Sequence, residues 1–362
     1  MVIYLSMIVL SVCFAYFATK LDKTYTVKFD KAAKIVTINQ SHIFAFLSFL
    51  PVFLISALRY KVGVDYMSYS WMYDAIKNGE PIHAESGFRF LNELMLWYTS
   101  NSQAIFIATS FITIGFIFYG IFKYSPNPSL SIFLLVTMGY LFSSFNILRQ
   151  YVAIALIFAS LKLIKENKFI PFVLVVLLGM TFHKTAIILL PLFFLVRLRL
   201  KQSYLIMITL ICACFIPLRG ILTNLLTRVF YPQYAGTSLI KPLEPFEFIY
   251  YLCILGILVL LCMAYKNDFF KDTLNLILFN CVFYSLILYT CFSFVPEINR
   301  IAVYIELFVI ILIPRLFETE QNIKVRRFYY ATTVVALTGF FVLSVGIMGR
   351  FGVLPYTTIF SS

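Results

Sequence analysis

Charge is scarce in this sequence. Asp, Glu, Lys and Arg make up 12% of its 362 residues, about half of the roughly 25% carried by a soluble globular domain. That shortage excludes an ordinary water-soluble enzyme. Paired cysteine is lacking too: the seven cysteines lie in or beside apolar stretches and none forms a C-x-x-C pair, so they read as small core hydrophobes rather than a disulfide framework or a metal site. There is no Walker A sequence, no G-x-S-x-G, no H-E-x-x-H and no D-x-D. Nothing therefore points to nucleotide use, to a resident cofactor or to a tightly bound metal. The N-terminus has no basic n-region, and its lysines follow the first apolar run, so residues 2–18 read as an uncleaved span. No internal repeat stands out, which withholds support from an inverted-repeat transporter.

What the chain has in abundance is apolar surface: 61% hydrophobic residues, 18% aromatic, and a mean hydropathy of +0.91. The apolar stretches are apolar on all sides, unlike the alternating strands of a membrane barrel. They fall near residues 2–18, 41–58, 103–122, 129–147, 149–164, 169–182, 184–197, 203–218, 246–265, 273–295, 299–317 and 328–348. The expectation is an all-α polytopic membrane protein, one transmembrane domain over 1–362, with about twelve transmembrane or re-entrant helices. The two runs flanking His183 are short, and read as tilted spans or a re-entrant hairpin.

Placing the lysine-rich first loop (Lys20, Lys23, Lys28, Lys31, Lys34) in the cytoplasm puts 18 of the 29 basic residues inside and both termini outside, as the positive-inside rule asks. The type of cation is more telling than the count. Seven of the 11 outer basic residues are arginines (Arg59, Arg89, Arg149, Arg219, Arg228, Arg300, Arg350), against five of the inner 18. Lysine serves topology as a hydrated point charge, whereas arginine suits bidentate recognition of phosphate or carboxylate. An anion site at the outer boundary is expected. Two outer loops are long: 59–102, with an interfacial helix running to Tyr98, and 219–245, stiffened by Pro232, Pro242 and Pro245.

Four clusters carry candidate chemistry. In Arg59-x3-Gly63-x-Asp65-x3-Tyr69, Asp65 reads either as a carboxylate orienting an anion-binding Arg59, or as a tuned base; a structural ion pair at a helix end is the alternative. Just downstream, Glu85-x-Gly87-Phe88-Arg89 opens a helix that Glu85 is able to cap. In Asn146-x2-Arg149-Gln150, a fork donor beside two amides suits a diphosphate bearing a sugar; a snorkelling arginine is the alternative. Phe182-His183-Lys184-Thr185 offers an imidazole for phosphate binding or acid–base work, against the structural role of most lone histidines. Finally, Pro296-Glu297-x-Asn299-Arg300-x3-Tyr304-x-Glu306 places Arg300 and Tyr304 on one helix face.

Taken in order, Arg59…Gly63-x-Asp65…Tyr69, Glu85-x-Gly87, Asn146-x2-Arg149-Gln150 with Ala153, and Phe182-His183-x-Thr185 followed by Pro191 resemble the EpsG family of Wzy-like polymerases of bacterial exopolysaccharide, capsule and O-antigen. The resemblance covers residues 1–200, with Asn299-Arg300 extending it. It implies a GT-C-like membrane glycosyltransferase in the bacterial inner membrane, acting at the outer leaflet. A growing glycan on polyprenyl diphosphate would pass to the non-reducing end of a lipid-linked repeat unit. On that reading Arg59, Arg149 and Arg300 bind the diphosphate, with Gln150, Arg89, Tyr69, Asn146 and Tyr304 around the diphosphate and glycan. Asp65 or His183 is the acid–base group and Glu85 the third candidate. The implied partners are a polyprenyl-diphosphate-linked oligosaccharide, the bilayer, and the chain-length regulator and flippase of the same pathway; nucleic acid is not among them. The competing readings are an O-antigen-ligase-like glycosyltransferase, a lipid-linked oligosaccharide flippase or anion transporter, and an acyltransferase with His183 as base.

Overall fold

The computed structural model describes residues 1–21, 24–29, 34–215, 217–230, 245–292, 295 and 298–361. Residues 231–244 of the second expected outer loop, and Pro296-Glu297, lie outside them. The first helix, α1 (Val2–Lys20), leads to a two-stranded antiparallel hairpin, β1 (Thr24–Phe29) and β2 (Lys34–Asn39), with Thr24 opposite Asn39 and Phe29 opposite Lys34. Helices α2 (Gln40–Ala57), α3 (Tyr66–Lys77), α4 (Ser86–Leu96) and α5 (Gln103–Tyr124) follow. Next come α6 (Pro128–Thr137), α7 (Tyr140–Asn146), α8 (Leu148–Ala159), α9 (Leu161–Lys165) and α10 (Phe169–Met180). A 3-10 turn over Lys184–Ile188 precedes α11 (Leu189–Leu195), α12 (Gln202–Ala213), α13 (Arg219–Phe230) and α14 (Pro245–Ala264). The last helices are α15 (Lys266–Phe269), α16 (Thr273–Cys291), α17 (Ile298–Glu306), α18 (Val309–Thr319) and α19 (Ile323–Phe341), the last running on through a π-turn to Ile347.

Helix starts follow the local sequence. Asn127 caps α6 by accepting from the Leu130 N–H, with Pro128 at the first helical position where its missing N–H costs nothing. Asn39, Asp272 and Asn322 likewise cap α2, α16 and α19 with their side chains.

Among the described residues, five helices are long and apolar enough to cross a membrane: α1, α2, α5, α16 and Ile323–Ile347. The pair α6 and α7, bent by 51°, makes a sixth if it acts as one broken span. Among the described residues the expected count of about twelve is not reached. A span needs about 20 residues at 1.5 Å each, and several apolar runs fold as helices far shorter than that. Gly139, at φ 89°, divides the run at 129–147, and Ile147, at φ −95° and ψ 54°, separates α7 from α8. The helices α8, α10 and Lys184–Leu195 are each of only 10–17 residues.

The chain divides into two units. The first comprises Met1–Leu161, Pro171–Ala186 and Glu320–Ser362; the second comprises Lys162–Ile170 and Ile187–Thr319. In the first, α1 packs on α2, α2 on α5, and α5 on α8. The short α3 and α4 cover the end of this bundle. Tyr66, Tyr69, Tyr73, Phe88 and Leu91 bury their rings and side chains with Ile105, Phe106 and Leu148, and Tyr66 stacks on Phe106 with centroids 4.2 Å apart. In the second unit, α16 is the central helix, packed by α12, α14, α17 and α18. The Asp272 carboxylate that caps α16 also pairs with Arg315 of α18 and, at 3.4 Å, with Lys165.

The last residues of the chain return to the first unit's α2–α3 connection. Tyr60 and Gly63 donate backbone hydrogen bonds to Thr357 and Gly352, at 3.0 and 2.9 Å, and Ile359 donates to Leu58 at 3.2 Å. Asn146 joins the two: its Oδ1 accepts from the Val64 N–H at 2.7 Å while its amide donates to the Phe351 carbonyl at 3.0 Å. Gly63 stands at φ 100°, and a Cβ there would lie 2.9 Å from Asn146 Oδ1, so a side chain is excluded twice over. Replacing Asn146 by alanine removes both bonds, at about 0.5–1.5 kcal/mol each. A lower thermal midpoint and faster proteolysis within 350–361 are expected; unchanged protection would show that the joint lies elsewhere.

Candidate functional site

Four elements of the first unit bring polar side chains together. Glu85 occupies the N-cap position of α4 in extended conformation (φ −65°, ψ 152°), yet its carboxylate makes no cap hydrogen bond. It points instead at two basic side chains. Oε2 accepts from Arg149 Nη1 at 2.6 Å, and Oε1 lies 3.5 Å from His183 Nδ1, an ion-pair distance that is long for a hydrogen bond. Arg149 is in the first turn of α8, and its guanidinium lies over the Phe88 ring, 5.8 Å from the centroid. Tyr69 of α3, which is buried, lies within electrostatic reach of the same arginine and sets its ring edge-on to Phe88. The Glu85, His183 and Arg149 side chains keep 11%, 17% and 22% of their surface exposed, so the cluster is sheltered yet reachable.

The backbone explains why the Glu85-x-Gly87 and His183 motifs belong together. Gly87 donates its N–H to the Thr181 carbonyl at 2.8 Å. A Cβ on Gly87 would meet Thr181 Oγ1 at 2.3 Å and Thr181 Cβ at 2.8 Å. Only glycine lets the start of α4 lie against the end of α10, and that approach sets Glu85 beside His183.

The electrostatics follow from these contacts. Burial alone would raise the Glu85 carboxyl, but the nearby His183 imidazole, a backbone N–H and the Arg149 charge together bring it down to about 2. Burial pushes the Tyr69 phenol up, with Arg149 opposing. An α8 whose first turn carries a cation sets that charge at the positive end of the helix dipole, an arrangement that favours an anion beside it. Glu85 takes that place here. A proton on His183 Nδ1, turned to Glu85, leaves the Nε2 lone pair as the free basic atom.

The other expected residues fall elsewhere. Arg59 is buried, 1% exposed, between the rings of Phe106 (5.0 Å) and Phe145 (4.4 Å). It donates to the Ser56 and Phe145 carbonyls, and no carboxylate among the described residues pairs with it. Burial lowers its guanidinium to about 10, with the Tyr66, Tyr356, Tyr4 and Tyr69 hydroxyls opposing. Asp65 holds the N-cap position of α3 without a side-chain cap bond and acts electrostatically on Tyr69. Gln150, 1% exposed, sits beside Arg149 in α8. Arg89 is exposed and donates to the Ile82 carbonyl at 3.1 Å, and Asn146 is committed to the two backbone segments described above. Arg300 and Tyr304 belong to α17 in the second unit, the arginine exposed and the tyrosine buried. There Glu306 accepts from the Tyr289 hydroxyl at 2.6 Å. The sequence also did not reveal the Thr181 contact or the return of the C-terminal segment 350–361 to the α2–α3 connection, because neither leaves a periodic signal.

The fold and composition define a helical, multi-pass membrane protein. Its polar cluster is drawn from four separate elements of one unit. A family model described as the EpsG family matches residues 42–358, and the chain belongs to that family. Membership points to a membrane polysaccharide polymerase. Neither a curated protein nor a solved structure matches the chain.

Proposed function

We propose that the chain is a polyprenyl-diphosphate-dependent glycan polymerase of the bacterial inner membrane, and that Glu85, Arg149, His183 and Tyr69 form its transfer site on the outer side. The observation that carries this reading is the Glu85 carboxylate shared between Arg149 and His183. It joins a general base to an anion-binding fork in one network. His183 Nε2 accepts the proton of an acceptor sugar hydroxyl, whose oxygen bonds to the anomeric carbon of the growing glycan. The bond from that carbon to the diphosphate breaks, and polyprenyl diphosphate leaves with the electron pair. Arg149 stabilises the charge developing on it. Asp65, next to Tyr69 and uncommitted as a cap, is the second acid–base candidate. Arg59, walled in by aromatic rings, serves in this scheme to hold the α2–α3 connection rather than to touch the diphosphate.

The test is transfer by purified, reconstituted protein. His183→Gln should lower the first-transfer rate by about 10²–10⁴, the range of a general base. Glu85→Gln should lower it as well, with the rate taken per folded protein. A pH sign follows from the depressed carboxyl: relative to an unfolded value of 4.5, Glu85 contributes stability that is present above 4.5 and lost as the pH falls towards about 2. The wild-type rate profile should therefore show no Glu85 step near pH 4.5. Normal transfer by the folded His183→Gln variant would refute the assignment of the base.

A further inference from the structure

The outward faces of α3 and α4 have no part in that reaction scheme. Their inward faces are spent on the buried aromatic cluster. Facing outward, Met67, Trp71 and Asp74 recur at i, i+4 and i+7 along α3, and Phe90, Glu93 and Trp97 recur at i, i+3 and i+7 along and just past α4. All six are exposed, Trp71 by 57% and Trp97 by 81%. These are the chain's only two tryptophans, against 40 phenylalanines and 24 tyrosines. Both fall in one short outer segment.

A helix lying in the lipid interface presents an apolar face to the bilayer and basic residues above it. Here the apolar face of α4 packs on protein, and the face left over interleaves aromatic rings with carboxylates. Burying Asp74 or Glu93 against lipid would be costly. A sugar suits the same face. The face of an aromatic ring packs against the apolar C–H face of a pyranose, and carboxylate oxygens accept from its hydroxyls. The two helices that carry this surface also supply Tyr69 and, at the α4 N-cap, Glu85.

We propose that the outward face of α3 and α4 holds the growing glycan beside the transfer site, with Trp71 and Trp97 as stacking platforms and Asp74 and Glu93 as hydroxyl acceptors. A neutral or amino-bearing glycan fits these two carboxylates. Held there, the chain stays within reach of the next transfer, so this surface sets how many units are added per encounter. The inference rests on the transfer reading above.

Because the protein has no other tryptophan, its intrinsic emission reports this surface directly. In vesicle-reconstituted protein, titration with repeat-unit oligosaccharides released from their lipid should shift or quench the emission saturably. Multimers should act at lower concentration than the single unit, and brominated phosphatidylcholine should have little effect. The double variant Trp71→Ala/Trp97→Ala should shorten the modal polymer several-fold while the first-transfer rate stays at the wild-type value. Strong quenching by brominated lipid with no response to glycan would assign the face to the membrane and overturn the proposal. A wild-type length distribution in the folded double variant would overturn it equally. Failure of the transfer reading looks different: the wild-type protein would form no first bond, while the fluorescence titration would still report whether the face binds glycan.

Discussion

Replacing Arg149 by lysine is expected to lower polymer synthesis by about 10²–10³, the loss typical of removing one preorganised donor from a site of developing negative charge. Charge is conserved in this change, so the effect isolates geometry. One planar guanidinium reaches the Glu85 carboxylate at 2.6 Å, lies over the Phe88 ring and stands within electrostatic reach of Tyr69. A lysine ammonium is a compact, strongly hydrated charge that cannot present this fork. The loss should appear in the turnover rate more than in the apparent affinity for the lipid-linked substrate, because charge on the diphosphate grows only as the bond breaks. In-gel chain length and first-transfer rate, measured with the thermal midpoint of the same sample, check it. A rate within the wild-type range would mean that the arginine is only a partner holding Glu85 in place.

The second large effect is expected at a residue with no side chain. Gly87→Ala inserts a methyl group 2.3 Å from Thr181 Oγ1 and 3.0 Å from the Thr181 carbonyl oxygen. The side chain can rotate away, but the backbone oxygen cannot, so α4 must lift from the end of α10. Overpacking of this kind costs about 1–3 kcal/mol, and the Gly87 to Thr181 hydrogen bond is strained with it. The functional cost should exceed the stability cost. Glu85 and His183 ride on the two strands of backbone being pushed apart, and a displacement near 1 Å is enough to cost about 10²-fold in catalysis. Thr181→Ala in the same chain removes the Oγ1 and Cβ obstacle only in part, so partial rescue by the double variant would locate the clash. A fully active, fully stable Gly87→Ala protein would show that the close approach is not needed.

Much of this was legible in the sequence, and the reasons for the rest are physical. Composition disclosed the membrane class, because hydropathy is a local property of residue type. The order of the motifs carried the family, which the match over residues 42–358 bears out. The number of spans was not legible. A hydropathy run reports apolar content, not continuity, and the break at Gly139 divides the run at 129–147 while leaving its apolar content intact. The hairpin was missed for a different reason. Thr24–Phe29 alternates with the period of a strand, but the lysines of this stretch drew the reading towards topology alone.

The site was partly visible. Glu85, Arg149 and His183 each stood out as polar groups in apolar surroundings, yet their pairing spans 64 and 98 residues of sequence, and no single-sequence pattern encodes such a contact. Arg59 shows the opposite failure. An arginine just past an apolar run reads as a boundary cation, whereas this one is buried against the Phe106 and Phe145 rings, within electrostatic reach of four tyrosines. The tyrosines arrive from positions 4, 66, 69 and 356, which is why its burial left no local trace.

The most direct measurement is bond formation by the purified protein, reconstituted in vesicles with lipid-linked repeat unit as the sole substrate. Glycan length and released polyprenyl diphosphate are followed together. A ladder of lengthening glycan is expected, without added nucleotide, with one polyprenyl diphosphate released per new bond, and with both signals lost in folded Arg149→Lys and His183→Gln proteins. Movement of the substrate across the bilayer with no new glycosidic bond, or wild-type ladders from both variants, would contradict it.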